Sequence, residues 1–280
     1  PDESEDGTPA DFADIAHDGT NNNLAILRLD VYNLGRLFRE GFDRKDDAGN
    51  YMGSISRYSN LSEKLDLFFS GYLHHLFAEI LKDSSQFDDW FVSGDFKKGE
   101  PRQHILPIYA GGDDIFIVCR WDIAPLLAKR IKKDFTIFAN QRPKVSISGG
   151  ASIVDDKYPI HKAAKEGEQA EHKAKTLSSN NDEAKKNAFC LFNQAMSWDD
   201  FETAQNYVQT LLKWQDNIQK RTILTFLRNL YNEYDENYHY GRWRWRSAYQ
   251  LTQIGKANNI EPEMAKLASW LFSGKFNSKK

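Results

Sequence analysis

The spacing of apolar and polar residues predicts alternating strands and helices over roughly the first two hundred residues. Apolar runs rich in β-branched and aromatic side chains predict strands at about 24–30, 105–110, 115–119, 144–154 and 187–192. Apolar residues three and four positions apart predict a short helix ending at about 40 and longer ones at about 59–82, 122–138 and 160–177. Two polar stretches, 43–55 and 83–104, are predicted loops.

This order of elements, β-α-α-β-β-α-β-α-β, predicts the fold class. It is typical of an α+β sandwich in which helices cover one face of a sheet that contains antiparallel strands. The ferredoxin-like palms of polymerases and cyclases have this arrangement. The fold alone does not assign a function, because many unrelated proteins share it.

The character of the sequence changes on both sides of this region. Residues 1–23 are rich in Asp, Gly, Asn and Thr, and we interpret them as a linker. The palm domain is expected to span residues 24–195. Residues 196–280 contain apolar stripes at helical spacing and no convincing strand, which predicts a separate all-α domain.

The most informative polar residues lie in the turn between the second and third predicted strands. Gly111, Gly112, Asp113 and Asp114 follow one another there, between two apolar runs. Glycine tolerates the positive φ angles of a tight hairpin, so both carboxylates are expected at its tip. Adjacent carboxylates repel each other unless a cation compensates them, and Mg2+ with nucleotide phosphates would do so. A plain solvent-exposed turn explains the same residues without any chemistry.

A third carboxylate, that of Asp30, ends the first predicted strand just before a turn into a helix. In a small sheet, this end of the strand can face the tip of the hairpin. Asp30, Asp113 and Asp114 would then supply the oxygen ligands for one or two Mg2+ ions, as metal-dependent phosphoryl transfer requires. The alternative is that Asp30 only terminates the strand.

Composition excludes several other classes of protein. With 40% hydrophobic and 13% aromatic residues, the chain can bury a core, and its net charge of −3 does not mark the whole chain as a nucleic-acid binder. The cysteines, Cys119 and Cys190, lie in apolar runs, which predicts neither a disulfide framework nor a zinc site. No apolar run reaches the ~18 residues of a membrane span and no signal peptide is visible, so a cytoplasmic location without membrane contact is expected.

The predicted all-α domain contains alternating arginine and tryptophan residues at 242–246. Such residues can pair with the phosphates and stack on the bases of a nucleic acid. The alternative is that the tryptophans enter a core or a partner surface while the arginine stems cover them. The sequence leaves both interpretations open.

Six short motifs, taken in order, resemble the C-terminal half of the large signature subunit of type III CRISPR effector complexes, in its Csm-type form. They are 29–35 (LDVYNLG), 56–62 (SRYSNLS) leading into 65–69 (LDLFF), 109–116 (YAGGDDIF), 148–152 (SGGAS), 158–160 (YPI) before an Ala/Lys-rich helix, and a strand followed by Trp198. Together they cover about residues 12–200. A GGDD turn alone is moderately specific, whereas the ordered set is much more so.

The resemblance implies a fold, an activity and partners. It implies the second of two palm domains of the full subunit, followed by a helical domain. It implies ATP as substrate, Mg2+ or Mn2+ as cofactor, and 3′–5′ joining of ATP into cyclic oligoadenylates, the second messengers that activate nucleases in antiviral defence. The implied partners are guide RNA, target RNA, a small helical subunit, a palm-contacting subunit and the N-terminal half of the same subunit.

The resemblance also implies a set of metal ligands. Asp30 and Asp113 match the principal ligands of the family, and Asp114 stands beside them as a second ligand or as support. The backbone at Val31 is implied as a further carbonyl ligand.

The implied nucleotide contacts come from the hairpin and from two helices. Gly111 and Gly112 would let the hairpin approach the triphosphate. Lys175 matches a lysine that contacts phosphate in related cyclases, although a surface lysine near a helix C-terminus is the alternative. Ser62 occupies a position where related palms contact the base.

Two departures from the family leave other functions open. Tyr32 stands where relatives often carry Asp. The sequence contains one palm of the pair and no His-Asp nuclease domain, so full activity is expected to need the N-terminal half. One alternative is a catalytically quiet palm that serves as a ribonucleoprotein scaffold. Another is a diguanylate-cyclase-like enzyme that uses GTP, although those enzymes carry Glu-Phe where this chain has Asp114 and Ile115.

Overall fold

The computed structural model describes residues 11–17, 22–32, 34–40, 49, 54–80, 104–112, 114–141, 145–177, 187–213, 220–237 and 242–272. The chain forms two compact units, Pro1–Ala204 and Gln205–Lys280. The first unit contains a sheet with its covering helices, and the described residues of the second form helices and no strand.

The first unit follows the predicted order of elements. Its strands are β1 (Asn23–Tyr32), β2 (Ile105–Gly111), β3 (Asp114–Arg120), β4 (Ser146–Asp155), β5 (Ala188–Leu191) and β6 (Gln194–Ser197). Its helices are α1 (Phe12–Ala16), α2 (Leu34–Glu40), α3 (Ile55–Asp66), α4 (Leu73–Ile80), α5 (Ala124–Phe138) and α6 (Ile160–Lys175). A π-helical stretch (Leu67–Tyr72) joins α3 to α4, and α7 (Trp198–Lys213) begins in this unit.

The six strands form one sheet in the order β2-β3-β1-β4-β5-β6. The first four pair antiparallel, with β1 between β3 and β4, which is the strand order of a ferredoxin-like palm and confirms the predicted fold class. After β4, helix α6 crosses over to β5, which pairs parallel with β4. The short strand β6, which the sequence analysis missed, returns antiparallel through a turn in which Phe192 and Asn193 have positive φ.

The central strand β1 is buried on both of its faces over residues 24–27. Its odd-numbered side chains, such as Leu27 and Leu29, join a core with α5 and with the π-helical stretch. Its even-numbered side chains Leu24 and Ile26 join a second core with α1 and α6. Helices therefore lie on both faces of the sheet, and the expectation of helices on one face was wrong because β1 is apolar on both faces.

Part of the predicted linker belongs to this second core. Helix α1 begins with a capping box between Asp11 and Asp14, and Ile15 and Ala16 are buried against the sheet. His104 Nδ1 donates a hydrogen bond to the Ile15 carbonyl at 2.9 Å. The assignment of 12–16 to a linker was therefore wrong, because a helix of five residues is too short to show a periodic apolar pattern.

The start of α7 shifts the boundary between the two units. Trp198 stacks on Phe189 with ring centroids 5.0 Å apart, and its Nε1 donates to the Ile147 carbonyl at 2.8 Å. Phe201 contacts the same Phe189 ring, with centroids 4.9 Å apart. The boundary consequently falls after Ala204, whereas the sequence indicated 195.

The described residues of the second unit form the end of α7 and three further helices. These are α8 (Lys220–Asn237), α9 (Arg242–Asn258) and α10 (Glu261–Phe272). Its core includes Phe226, Leu251, Met264 and Leu267. Among the residues that the structure describes, no helix of either unit has the length and apolar character needed to cross a membrane.

The close approach of α6 to β4 depends on Gly150. A Cβ at this position would lie 2.4 Å from the carbonyl carbon of Ala170 and 2.5 Å from the backbone nitrogen of Glu171. Because backbone atoms cannot move aside cheaply, we expect Gly150→Ala to displace α6 and to lower the free energy of unfolding by about 1–3 kcal/mol. Chemical denaturation measures this change.

The matched control for this prediction is Gly35→Ala in α2. No atom lies within 4 Å of a Cβ added at Gly35. Alanine is the better helix former by up to about 1 kcal/mol, so this variant should be as stable as the wild type or slightly more stable. Equal stability of the two alanine variants would contradict the proposed role of Gly150.

Candidate functional site

The second half of β1 carries polar residues on the face that α6 covers. From Arg28 onward, the even-numbered residues Arg28, Asp30 and Tyr32 are half-buried, whereas the odd-numbered ones stay in the core. The C-terminal turn of α6 adds Glu171 and Lys175, which lie one turn apart on the same helix. Glycine at position 150 lets the backbone of α6 approach the sheet beside Glu171.

The register of the sheet brings Asp30 to the GGDD hairpin. Asp30 pairs with Asp114 across β1 and β3, and with Ser148 across β1 and β4. Gly112 has a φ of 65°, the left-handed conformation that glycine adopts without strain, and this allows the tight turn. Asp113, the other predicted hairpin ligand, lies outside the described residues.

Three carboxylates meet at this end of the sheet. One carboxylate oxygen each from Asp30, Asp114 and Glu171 lie within 4.8 Å of one another. Hard divalent cations such as Mg2+ take oxygen ligands of this kind, so the donor set fits such an ion. Glu171 was not among the predicted site residues, because a glutamate in an Ala/Lys/Glu-rich helix is normally solvent-exposed. Here it is only 6% exposed.

Two cations hold the carboxylates in place. Lys175 Nζ lies 2.9 Å from Asp30 Oδ2 and 2.6 Å from Glu171 Oε1, and it therefore bridges β1 and α6. Arg28 Nε lies 3.3 Å from the other Glu171 oxygen, Oε2. With three carboxylates against two cations, the formal charge of the cluster is −1. Lys175 thus lies within the cluster, while Arg28, like Glu171, was not predicted.

The electrostatics of the cluster work against the charged form of Asp30. The pKa of Asp30 is raised from 3.8 to about 6, chiefly by burial. The charges of Glu171 and Asp114 raise it further, whereas the hydrogen bond and the charge of Lys175 lower it. Burial opposes the charge of Lys175 too, but its bonds to Glu171 and Asp30 outweigh burial and raise its pKa. Further positive charge beside Asp30 would favour its ionised form.

Ser62, the predicted base contact, and Val31, the predicted carbonyl ligand, have different environments in the structure. Ser62 is exposed on α3, two turns before Ser70. The Ser70 hydroxyl lies 2.9 Å from Asp66 Oδ1 and 3.4 Å from the Ala110 carbonyl oxygen, so the structure brings Ser70 to the hairpin. Val31 is buried in the core, so it can offer the site backbone atoms but no side chain.

Comparison with known protein families assigns most of the first unit. The family profile of Cas10/Cmr2, second palm domain, matches residues 23–190. A curated relative, the CRISPR system single-strand-specific deoxyribonuclease Cas10/Csm1 (subtype III-A) of Methanocaldococcus jannaschii, is 36% identical over 219 residues, which are 76% of this chain and 25% of that protein. The protein of the same name from Mycobacterium tuberculosis is 32% identical over 179 residues, 63% of this chain and 20% of its own. The chain thus spans about a quarter or less of the length of these relatives.

Solved structures share the fold. A crystal structure of an apo Csm1–Csm4 cassette matches with a TM-score of 0.69 at 22% identity, over 89% of this chain and 34% of that chain. Csm1 from T. onnurineus matches with a TM-score of 0.65 at 22% identity, over 92% of this chain and 36% of that chain. Because the family profile covers more than half of its residues, this chain belongs to the Cas10/Cmr2 family and contains the second palm domain of that family.

Proposed function

We propose that the palm binds ATP together with Mg2+ or Mn2+ and joins ATP through 3′–5′ bonds into cyclic oligoadenylates. It would do so in the cytoplasm, within a type III CRISPR antiviral effector complex. The observation that carries this proposal is the convergence of Asp30, Asp114 and Glu171 with Lys175 at one end of the sheet. The GGDD hairpin adds Asp113 to the same set by sequence.

The ligands of related structures support the choice of substrate and product. Csm1–Csm4 cassettes have been solved in complex with one ATP, with pppApA, with pppApApA, with cA3 and with cA4. In the proposed reaction, these compounds are the substrate, linear intermediates and cyclic products. The deoxyribonuclease named for the curated relatives is a property of much longer proteins, and we do not assign it to this palm.

The proposed chemistry is a displacement at phosphorus. The 3′-hydroxyl oxygen of one ATP attacks the α-phosphorus of another, the bond between the α- and β-phosphates breaks, and pyrophosphate and the hydroxyl proton are released. Asp30, Asp113 and Asp114 would hold the metal. Once bound, the metal lowers the pKa of the attacking hydroxyl and neutralises the phosphate charge that develops.

The remaining polar residues of the site orient the triphosphate. Lys175 can donate to phosphate oxygens, where a charge-assisted hydrogen bond is about twice as strong as a neutral one. Glu171 holds Lys175 at 2.6 Å and is itself held by Arg28. Glu171 and Arg28 would therefore fix the direction of the lysine before the nucleotide arrives.

We propose the partners that the family suggests. Csm4 accompanies Csm1 in the solved cassettes, which supports a palm-contacting subunit of this type. Guide RNA, target RNA, a small helical subunit and the N-terminal half of the same subunit complete the proposed assembly. The other palm needed for joining two nucleotides would come from that N-terminal half.

Nucleotide binding by this chain tests the proposal. We expect calorimetry to show ATP binding in Mg2+ that EDTA abolishes, and a double variant, Asp113→Ala with Asp114→Ala, to lose this binding while remaining folded. The reason is that Mg2+ needs oxygen ligands, and the methyl group of alanine has none to offer. Asp155→Ala with Asp156→Ala is the matched control, because this adjacent acidic pair lies at the other end of β1, where Asp155 pairs with Asn23.

Each alternative function gives a different result in the same experiment. Normal Mg2+-dependent ATP binding by the Asp113/Asp114 variant would contradict the proposed site. A preference for GTP over ATP would favour the diguanylate-cyclase-like enzyme. A folded wild-type chain that binds neither nucleotide would favour the ribonucleoprotein scaffold.

A further inference from the structure

The second unit contains a groove that the proposed palm chemistry does not use. Helices α8 and α9 line an open cavity of about 590 Å³, which we call the α8–α9 groove. Its lining includes Asn229, Asn232, Trp245, Arg246, Tyr249 and Gln250. A cavity of this size lies in the range that accommodates small organic ligands, and the groups around it are aromatic, amide and cationic.

The two tryptophans of the arginine–tryptophan segment have different environments. Trp243 is buried in the helical core, with its ring 5.9 Å from that of Phe272, and the Arg244 guanidinium lies over it at 5.4 Å. Trp245 is 61% exposed and lines the groove. The core interpretation of the sequence therefore holds for Trp243, and Trp245 is the ring available to a ligand.

The groove presents two aromatic rings on one side of α9. Trp245 and Tyr249 are separated by four residues, so they lie on the same helical face, and Tyr249 is 63% exposed. Arg246 places its guanidinium 5.6 Å from the Trp245 ring centroid. An exposed π-face with an adjacent cation is the combination that binds a base and the phosphate next to it.

The excess of positive charge around the groove favours a polyanion as its ligand. Residues 220–258 carry seven Lys or Arg residues and three acids. The cations are Lys220, Arg221, Arg228, Arg242, Arg244, Arg246 and Lys256. The acids, Glu233, Asp235 and Glu236, are confined to the end of α8, and α9 has none. An apolar peptide would gain nothing from this excess, whereas a phosphate backbone would.

We infer that the α8–α9 groove binds a single-stranded nucleic acid, with a base stacked on Trp245 and a phosphate near Arg246. The side-chain amides of Asn229, Asn232 and Gln250 can donate to and accept from the edge of that base. A duplex does not suit the groove, because its bases are already stacked on one another. This inference does not depend on the proposed function of the palm.

Fluorescence anisotropy with labelled twelve-nucleotide strands of mixed sequence tests the inference, with separate RNA and DNA arms to distinguish the two kinds of strand. We expect Trp245→Ala to weaken binding about tenfold or more, within the range measured for loss of a base–aromatic stack. Trp245→Phe should retain most of the affinity. Arg246→Gln should reduce the dependence of the affinity on salt by about one phosphate contact.

The matched control is Tyr231→Ala, which removes an exposed aromatic ring of α8 that does not line the groove. It should bind strands like the wild type. Circular dichroism checks that each variant is folded. The inference is overturned if Trp245→Ala binds as tightly as the wild type, if a duplex of equal length binds as well as a single strand, or if no strand binds. The last result would leave the groove to a protein partner.

Discussion

Asp30→Asn is expected to abolish Mg2+-dependent ATP binding while making the palm more stable. The carboxylate of Asp30 is central to the cluster, since it contacts Lys175 and pairs with Asp114 across the sheet. Loss of an outer-shell partner costs about 10- to 100-fold in metal affinity, and loss of a ligand should cost more. Calorimetric titration of ATP in Mg2+ measures the loss.

The gain in stability has a separate physical reason. The pKa of Asp30 rises from 3.8 to about 6, so at neutral pH the folded protein holds a carboxylate that its surroundings disfavour. Asparagine keeps the shape and an acceptor for Lys175 without the charge. Because Asp30 is only partly buried and solvent screens its charge, we expect about 1 kcal/mol of stabilisation in EDTA, seen as a thermal midpoint a few degrees higher.

The two readouts together exclude a trivial explanation. A misfolded variant would lose both ATP binding and stability, so the combination of lost binding and a higher midpoint identifies a functional carboxylate. Unchanged Mg2+-dependent ATP affinity in Asp30→Asn would show that the metal is held elsewhere.

Much of the palm fold could be predicted from local sequence patterns. Strand β1 and the two hairpin strands are rich in β-branched residues. The hairpin strands are also joined by a turn that only glycine fits easily, so the signals for strand and turn lie within a few residues of each other. The helices α5 and α6 began within two residues of their predicted starts and likewise ended within two residues of their predicted ends. The π-helical stretch could not be predicted, because apolar spacing does not distinguish one widened turn from an ordinary helix.

The site was predictable where one short segment carries the signal, and less so where distant segments meet. Asp30 and Asp114 each follow a strand pattern and could be named from sequence. Glu171 could not, because its burial depends on Gly150 in β4 and its charge partner Arg28 lies in β1. The one local hint was its four-residue spacing from Lys175, which many solvent-exposed helices share.

Glu171→Gln is expected to weaken ATP binding about tenfold or more. This carboxylate is only 6% exposed and holds two cations, Lys175 at 2.6 Å and Arg28 at 3.3 Å. Removal of this carboxylate leaves two half-buried cations, whose side chains are 26% and 28% exposed, without their shared counter-charge. Lys175 would then be held by Asp30 alone, and it would compete with the metal for the Asp30 carboxylate.

A double-mutant cycle shows whether Glu171 acts through Lys175. If it does, Glu171→Gln combined with Lys175→Met should weaken ATP binding no more than Lys175→Met alone, because the lysine is the group being positioned. Fully additive losses would mean that the two residues act independently. Glu168→Gln is the matched control, since Glu168 is exposed on the same helix, and it should bind ATP like the wild type.

The central place of β1 has a consequence for synthesis of the protein. Among the described strands of this palm β1 is made first, yet its partners β3 and β4 end at Arg120 and Asp155. At about 5–20 residues per second, a ribosome needs about 6–25 s to travel from Tyr32 to Asp155. Until β3 has been made both edges of this apolar strand are unpaired, and the edge that pairs with β4 stays unpaired for the whole interval, which invites association with other chains. The carboxylate cluster is assembled later still, because Glu171 and Lys175 lie in α6, so a nascent palm lacks this cluster until α6 has been translated.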